Sequence, residues 1–339
     1  MKTKIPWSKP SIGEQEKKAV QQVMDSGWVT MGAKTREFEA KLMSVTDRKY
    51  NVFVNNGTSA LIAALMARDS ETVHLPAYTF PATLNAVYGA GYTQVAYHDV
   101  DRDTVLMNPP EVASRDHVYM PVSYAGLPLN PGEWNGVPNV VEDAAESLGA
   151  AVVDTVHGRG SWTRCYSLHA AKIVTTIEGG VISTDDPDEA YLLQAIRCHG
   201  EDPNEKGSFI TRGLNLKPTD INAAIGITQL ERLPQFIWNR NRIAELYKEE
   251  LGSTVRYQQV PDYVKTHAHM MFPIMVDDPE MLRLYLKTQG IDTRLGWNPL
   301  SPRPGALEVS RTVICLPIYN TMTEVEAMIV VDGVKERLR

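Results

Sequence analysis

Short apolar runs alternate with helical stretches along the 339 residues of the chain. The apolar runs predict strands at residues 51–54, 72–75, 94–98, 117–121, 139–142, 164–168 and 181–184, with helices in several of the intervals. This alternation predicts an α/β fold with a mostly parallel sheet flanked by helices. Ligands of such sheets collect at the carboxyl ends of the strands, so we expect the functional residues there.

Helix-start and helix-stop signals lie before the first predicted strand and after the last one of this sheet. A capping box starting at Ser11 predicts an amphipathic helix that reaches Ser26, and Gly27 is its stop signal. Near the other end, Thr219 is a cap for a long helix in which Pro234 is a candidate bend. We interpret this second helix as a scaffold that joins two domains.

The pattern after the long helix is that of a smaller unit. It predicts a strand at residues 270–276, helices at 279–289 and 323–338, and an ordered proline-rich loop at 298–305 over the active site. We therefore expect a large domain at residues 1–235 and a smaller C-terminal α+β domain at residues 236–339.

Composition narrows the class of protein. With 43% hydrophobic residues the chain can bury a large core, and its net charge of −7 provides no basic field for nucleic acid or anionic membranes. No apolar run reaches the ~20 residues of a membrane span, and the basic start after Met1 lacks the apolar core of a secretory signal. The widely spaced Cys165, Cys198 and Cys315 argue against disulfides and a cysteine-built metal site. We expect a cytoplasmic protein without a metal.

Lys172 is the first candidate for covalent chemistry. It lies between two apolar stretches and is followed by the paired glycines Gly179 and Gly180. An amine among apolar groups loses hydration and basicity, as an amine that attacks an aldehyde at neutral pH must. A lone lysine beside a strand is more often a solvated surface group, so this hypothesis depends on other segments.

The run from Asn55 to Ala60 follows an apolar strand and opens a helix. Gly57, followed by the hydroxyl residues Thr58 and Ser59, leaves backbone N–H groups pointing outward at the positive end of the helix dipole. A phosphate group would fit there. Thr58 or Ser59 could instead cap the helix, and both interpretations can hold at once.

An acid and two aromatic residues complete the pattern. Asp143 ends a strand that begins near Asn139, where its carboxylate could hold a ring nitrogen protonated or cap a helix from Ala144. Tyr78 and Phe80 follow another strand, where either could stack on a flat cofactor or pack in the core. Phosphate site, aromatic platform, acid and amine together point to pyridoxal 5′-phosphate (PLP).

These segments resemble those of the DegT/DnrJ/EryC1/StrS sugar aminotransferases, which are fold-type I PLP enzymes. Three motifs carry the resemblance: the Asn-Gly-Thr-Ser-Ala-Leu turn from Asn56, the Glu-Asp-Ala-Ala run from Glu142 and the Ser-Leu-His-x-x-Lys run from Ser167. The resemblance covers nearly the whole chain. It implies a homodimer with shared active sites that moves an amino group from glutamate to a nucleotide-linked keto-sugar.

The resemblance also implies roles for single residues. Lys172 and Asp143 would be catalytic, the first as the covalent cofactor lysine and the second as the partner of the pyridine nitrogen. Asn215 would reach the phosphate region of the partner subunit's active site. The implied cofactor-binding residues are Gly57, Thr58, Phe80, Asp143, Glu146, Ser167, Lys172 and Asn215.

Some positions depart from the family pattern. Glu146 stands where many members have glutamine, Lys217 replaces an arginine, and the segment containing Trp297 lacks the family's histidines. Residues 162–164 and Ile177 replace residues that are usually small, acidic or glycine. We expect an intact cofactor site and an altered acceptor site.

His169, Lys217 and Trp297 are candidate substrate contacts. His169 precedes Lys172 by three residues, but on a strand it could equally be a hydrogen-bonded core histidine. Arg212, Arg294, Arg303 and Lys217 could bind a diphosphate or carboxylate, although each could also be an ordinary surface charge.

Two rival functions remain open at this point. A lyase or dehydratase would keep the cofactor, but dehydratases of this family that use the aminated cofactor have a histidine at the position of Lys172. A non-catalytic sensor would keep only the fold. A yellow protein that is bleached by glutamate would exclude the sensor.

Overall fold

A computed structural model describes residues 4–153 and 162–339. Residues 1–3, which begin the segment that we interpret as lacking a secretory signal, lie outside the described residues. The α-helices are α1 Glu14–Ser26, α2 Ala33–Thr46, α3 Gly57–Met66, α4 Pro81–Gly89, α5 Pro187–Arg197, α6 Asp220–Leu251, α7 Pro279–Thr288, α8 Pro304–Thr312 and α9 Glu324–Leu338. The strands are β1 Tyr50–Val54, β2 Thr72–Pro76, β3 Gln94–His98, β4 His117–Tyr119, β5 Val141–Asp143, β6 Ala151–Val152, β7 Thr163–Ser167, β8 Gly180–Thr184, β9 Arg256–Tyr257, β10 Val264–Thr266, β11 Phe272–Met275, β12 Arg294–Leu295 and β13 Val313–Leu316.

The large unit is built around a mostly parallel sheet, as predicted. Its two parts, β3-β2-β4 and β5-β7-β8-β1, meet at parallel bridges between Tyr119 and Val140 and between Val122 and Asp143. Within this sheet β8 runs antiparallel to both of its neighbours, and the other described pairs are parallel. The ends of β1, β2, β5 and β7 therefore meet along one edge, where the predicted motifs lie.

Helix α3 packs against this sheet because its residues are small and apolar. Ala60, Ala63 and Ala64 are fully buried and allow close contact with β7 and β8. This packing fixes the start of α3 beside the end of β7.

The smaller unit contains an antiparallel sheet of order β12-β13-β11-β9. Helices α7 and α9 and the second half of α6 pack on it, around buried residues that include Tyr247, Phe272 and Val330. Helix α6 continues through Pro234 without interruption. The predicted boundary between the two domains, at residues 235 and 236, falls inside this helix. The division of the chain into two domains stays a prediction.

Local signals predicted some helix ends correctly and one wrongly. Thr219 and Thr323 cap α6 and α9, and Gly27 ends α1 in the left-handed region with φ of 72°. The capping box at Ser11 is wrong, because α1 begins at Glu14 with Gly13 as its cap. The Ser11 hydroxyl instead accepts a hydrogen bond from Arg232 Nη2 at 2.6 Å.

Among the helices of the described residues, none combines the length and apolar character of a membrane span.

Candidate active site

The turn between β1 and α3 is shaped for an anion. Asn56 caps α3, with its side-chain oxygen accepting from the Ser59 N–H at 2.8 Å, so Thr58 and Ser59 are not the caps. The first N–H groups of a helix have no intrahelical acceptor, which leaves those of Gly57 and Thr58 available to a ligand. A Cβ at Gly57 would stand 2.8 Å from Ser167 Cβ, so only glycine lets the turn approach the end of β7 this closely.

Asp143 lies at the carboxyl end of β5, as predicted, and is 5% exposed. No helix begins at Ala144, so the helix-cap interpretation is wrong. Oδ2 of Asp143 accepts a hydrogen bond from Thr83 Oγ1 at 2.8 Å, and Oδ1 accepts one from the Ala145 N–H at 3.2 Å. Burial raises the pKa of Asp143, while the hydrogen bond from Thr83, that from Ala145 and the charge of Lys172 oppose this rise.

Lys172 lies close to a second carboxylate. Its Nζ is 3.5 Å from Oε1 of Glu146, with side-chain exposures of 17% and 9%. Oε2 of Glu146 accepts from the Ala125 N–H at 2.8 Å, which fixes the carboxylate. Lys172 is therefore a half-enclosed amine beside a positioned acid, and the solvated-surface interpretation is wrong.

The loop that carries Lys172 is held from several directions. Asn320 Nδ2 donates to the carbonyl of Ile173 at 2.7 Å, and Asn222 Nδ2 donates to that of Thr176 at 2.6 Å. Asn320 Oδ1 in turn accepts from Nε of the buried Arg240 at 2.7 Å. These side chains join the lysine loop to α6 and to the smaller unit.

The aromatic residues separate into a core residue and a surface residue. Tyr78 is 2% exposed and packs against Tyr124, whereas Phe80 is 54% exposed at the start of α4. Phe80 lies one helical turn before Thr83, the residue bonded to Asp143. The indole of Trp297 contacts Phe80, with 5.8 Å between ring centroids.

Other predicted residues lie elsewhere in the chain. His169 follows β7, and its side chain is 51% exposed, so the core-histidine interpretation is wrong. Asn215 is exposed, and Lys217 Nζ lies 3.1 Å from His199 Nε2. Within the described residues, neither Asn215 nor Lys217 forms a hydrogen bond with Lys172, Glu146 or Asp143.

The candidate anion-binding arginines are dispersed. Arg294 stacks over Trp7 at 5.3 Å from the ring centroid, Arg303 caps α8, and Arg212 Nη2 lies 3.5 Å from the carbonyl of Ala90. They do not form one cationic site within the described part of the chain.

The unusual residues at the start of β7 and just before it have a structural explanation. Trp162 Nε1 and Arg164 Nε donate to Oε2 of buried Glu142 at 2.6 and 3.0 Å, and Ser123 Oγ donates to Oε1 at 2.5 Å. Because Glu142 would be costly to bury alone, this network satisfies its charge.

Sequence reasoning missed three residues that orient the site. Thr83, Ala125 and Asn320 hold Asp143, Glu146 and the lysine loop. The position of Thr83, one turn into a helix after a strand, was the available signal. For Ala125 and Asn320 the sequence has none, because they depend on contacts with distant segments.

The arrangement fits PLP. The helix start offers free N–H groups for a phosphate, a buried carboxylate offers a partner for a ring nitrogen, and an exposed aromatic ring offers a flat face. Lys172 offers a half-enclosed amine, the group that can bind an aldehyde covalently. Within the described residues, no group of three or more His, Cys, Asp or Glu side chains has a geometry suited to a metal.

Known proteins match both the sequence and this fold. The sequence pattern of the DegT/DnrJ/EryC1/StrS aminotransferase family matches residues 10–335. The structure is similar to Helicobacter pylori PseC, an aminotransferase involved in pseudoaminic acid biosynthesis, with a TM-score of 0.90, 20% identity and 99% of each chain covered. It is also similar to the sugar aminotransferase CalS13 from Micromonospora echinospora, with a TM-score of 0.89, 26% identity and 98% and 99% of the two chains covered.

A further match has a different activity. GDP-4-keto-6-deoxymannose-3-dehydratase with a trapped PLP-glutamate geminal diamine matches with a TM-score of 0.88 and 22% identity, over 97% of this chain and all 100% of the other. The identities to PseC and to this dehydratase are low enough that these two matches show the fold alone. The family assignment comes from the match over residues 10–335.

Proposed function

The chain belongs to the DegT/DnrJ/EryC1/StrS aminotransferase family, and from this premise we propose that it transfers an amino group from glutamate to a nucleotide-linked keto-sugar. The family makes it a PLP-dependent sugar aminotransferase of fold type I. The observation that most supports the proposed reaction is the half-enclosed amine of Lys172, which lies 3.5 Å from Glu146 and whose charge partly opposes the rise that burial causes in the pKa of Asp143.

Each group of the site has a proposed role in holding PLP. The N–H groups of Gly57 and Thr58 and the hydroxyl of Ser167 bind its phosphate, and Phe80 covers one face of its ring. Asp143 pairs with the ring nitrogen, and Lys172 binds the aldehyde carbon. When bound, PLP supplies an electrophilic carbon and a ring that accepts the electron pair released as the donor loses its α-proton.

The chain's own groups move and hold protons around that ring. The free Lys172 amine would accept the donor's α-proton and would return a proton to the cofactor's former aldehyde carbon, C4′, which is joined to the α-carbon through the donor's nitrogen. Glu146, fixed by the Ala125 N–H, accepts a hydrogen bond from Lys172 Nζ at 3.5 Å and orients this amine between the two transfers. Thr83 keeps the carboxylate of Asp143 directed at the ring nitrogen.

Two observations support glutamate and a nucleotide-linked sugar as substrates. The dehydratase that shares this fold has been trapped with PLP and glutamate, and its own substrate is a GDP-linked keto-sugar. The acceptor side of this chain has the aromatic Trp297 against Phe80. We assign Trp297, and with it His169 and Lys217, to the acceptor side of the site.

The proposed catalytic unit is a homodimer. The exposed segment that contains Asn215 is unusually apolar, with Phe209, Ile210 and Leu214 exposed by 66%, 46% and 40%. Such residues favour contact with another protein surface. A second copy of the chain would cover them and bring Asn215 to the partner's phosphate site.

The three free cysteines support a cytoplasmic location.

A dehydratase is the second candidate, because one shares the fold. Lys172 speaks against it, since the resemblance places a histidine there in dehydratases. The family assignment as an aminotransferase leaves no support for a non-catalytic sensor.

A two-stage experiment tests the proposal. Purified protein loaded with PLP should lose its visible absorbance when nitrogen-15 glutamate is added, with release of 2-oxoglutarate. UDP-, GDP- and dTDP-linked 4-keto-6-deoxyhexoses are then added separately, and one of them should acquire the labelled nitrogen. Removal of a sugar hydroxyl without nitrogen incorporation would instead establish the dehydratase.

A further inference from the structure

The loop between β12 and α8 is attached to the large unit beside Phe80. The Tyr78 hydroxyl accepts a hydrogen bond from the Trp297 N–H at 3.2 Å, and the carbonyl of Ala77 accepts one from the Leu300 N–H at 2.7 Å. The residues from Ala77 to Phe80 follow β2, so this loop of the smaller unit is attached to the segment that carries the proposed cofactor platform.

Gly296 permits this attachment. A Cβ at this position would stand 2.5 Å from the Tyr78 hydroxyl oxygen, but 3.5 Å from the ring carbon that bears it. The close approach is therefore to a single oxygen atom, and any larger residue would displace either the loop or Tyr78.

Tyr78 is a rigid support for the loop. Its ring is 2% exposed, and burial raises its pKa, so the hydroxyl stays neutral near neutral pH. The Trp297 ring leans on Tyr78 and Tyr124 with centroid distances of 5.6 and 5.4 Å and reaches Phe80 at 5.8 Å. Trp297 is thus packed on two buried tyrosines and also contacts the exposed Phe80.

We propose that Tyr78 is a positioning residue that sets acceptor specificity: its hydroxyl, close to Gly296, holds Trp297 as a fixed wall of the acceptor site above Phe80. The inference rests on the proposed function, because it assigns the acceptor to this side of Phe80. A fixed wall selects substrates by shape, whereas a mobile one would accept several sugars with lower affinity.

The attachment itself is testable without activity. Gly296→Ala should lower the Tm, because the new methyl group meets the Tyr78 oxygen, and adding Tyr78→Phe should restore most of the loss. Gly305→Ala is the matched control, since its Cβ would stand 2.2 Å from the Val100 carbonyl and should not be rescued by Tyr78→Phe. If the effects of Gly296→Ala and Tyr78→Phe simply add, the attachment does not exist.

Its role in specificity is tested with Tyr78→Phe alone. We expect the KM for the keto-sugar used fastest by the wild type to rise about fivefold, the effect of one hydrogen bond, with the rate of the glutamate half-reaction unchanged. If none of the three keto-sugars is used, the Kd values of UDP, GDP and dTDP are compared between the two proteins. Equal KM values, or equal Kd values, in the wild type and Tyr78→Phe would overturn the inference. A wild-type protein whose absorbance does not change when glutamate is added would instead refute the proposed function, and the Tm experiment would still test the attachment.

Discussion

At Asp143 the needs of folding and of chemistry conflict. A carboxylate that is 5% exposed is costly to keep ionised, and burial accordingly raises its pKa. Thr83 and Ala145 donate hydrogen bonds that reduce this cost without removing it. The residue is explained by a ligand that brings a positive charge to it, which is the proposed role of the protonated ring nitrogen of PLP.

This conflict predicts a pH-dependent effect of Asp143→Asn in the protein freed of PLP. A carboxyl group with a raised folded pKa destabilises the fold as pH rises from its unfolded pKa through its folded pKa. The variant lacks this penalty. The Tm of the variant minus that of the wild type should therefore increase as the pH is raised from the unfolded pKa, about 4, through the higher folded pKa. A difference that stays constant or decreases as the pH rises would contradict the raised pKa inferred for the buried Asp143.

Residue types and their order along the chain suggested Lys172, Asp143 and Gly57 as site residues, because each lies at or soon after the end of a strand, where ligands of such sheets bind. Their roles stay predictions. His169 could not be placed, because whether it faces solvent or the core depends on where β7 stops. Trp162 and Arg164 depart from the family pattern, and the structure shows both donating hydrogen bonds to Glu142, with Arg164 also supplying the opposite charge.

At the level of elements, periodicity was reliable where strands and helices are regular. The predicted strands of the large sheet are all present, with ends shifted by a few residues. Helices α2, α5 and α8 were missed. In α8 the signal is obscured by the proline-rich stretch, which was predicted as loop, whereas the helix starts at Pro304.

The lysine loop is an irregular element that depends on its ties. Asn320→Asp keeps an acceptor for Arg240 but loses the donor to the Ile173 carbonyl. We expect this variant to keep its Tm, because buried Arg240 gains a counter-charge, while kcat falls because the loop is less firmly held. Asn320→Ala is the comparison: it also leaves Arg240 short of an acceptor and should lose about 1–3 kcal/mol of stability.

Urea unfolding and steady-state kinetics on both variants provide the measurement. Full activity in Asn320→Asp would show that the bond to Ile173 does not position Lys172. A large loss of stability in that same variant would show that Arg240 does not accept the new carboxylate as a partner.

At the level of the whole molecule, the proposed homodimer makes the active sites depend on both subunits. Lys172→Ala and Asn215→Ala proteins should each have little activity alone. When they are dissociated and reassociated together, a mixed dimer contains one site with both residues intact. Random pairing should then restore about a quarter of the wild-type activity, because half of the dimers are mixed and each has one good site.

Gel filtration of each variant before mixing controls for dimer formation. If mixing restores nothing although mixed dimers form, Asn215 does not act across the interface. If Asn215→Ala alone is fully active, that residue does not contribute to the phosphate site at all.

The proposed chemistry depends most directly on the bond between Lys172 and PLP. The measurement is reduction of the PLP-loaded protein with borohydride, followed by proteolysis and mass spectrometry, with Lys172→Ala as the parallel sample. We predict a phosphopyridoxyl group on Lys172 in the wild type and none in the variant, which should still fold because little packing is lost. A label on another residue, or no label in the wild type, would contradict the central claim.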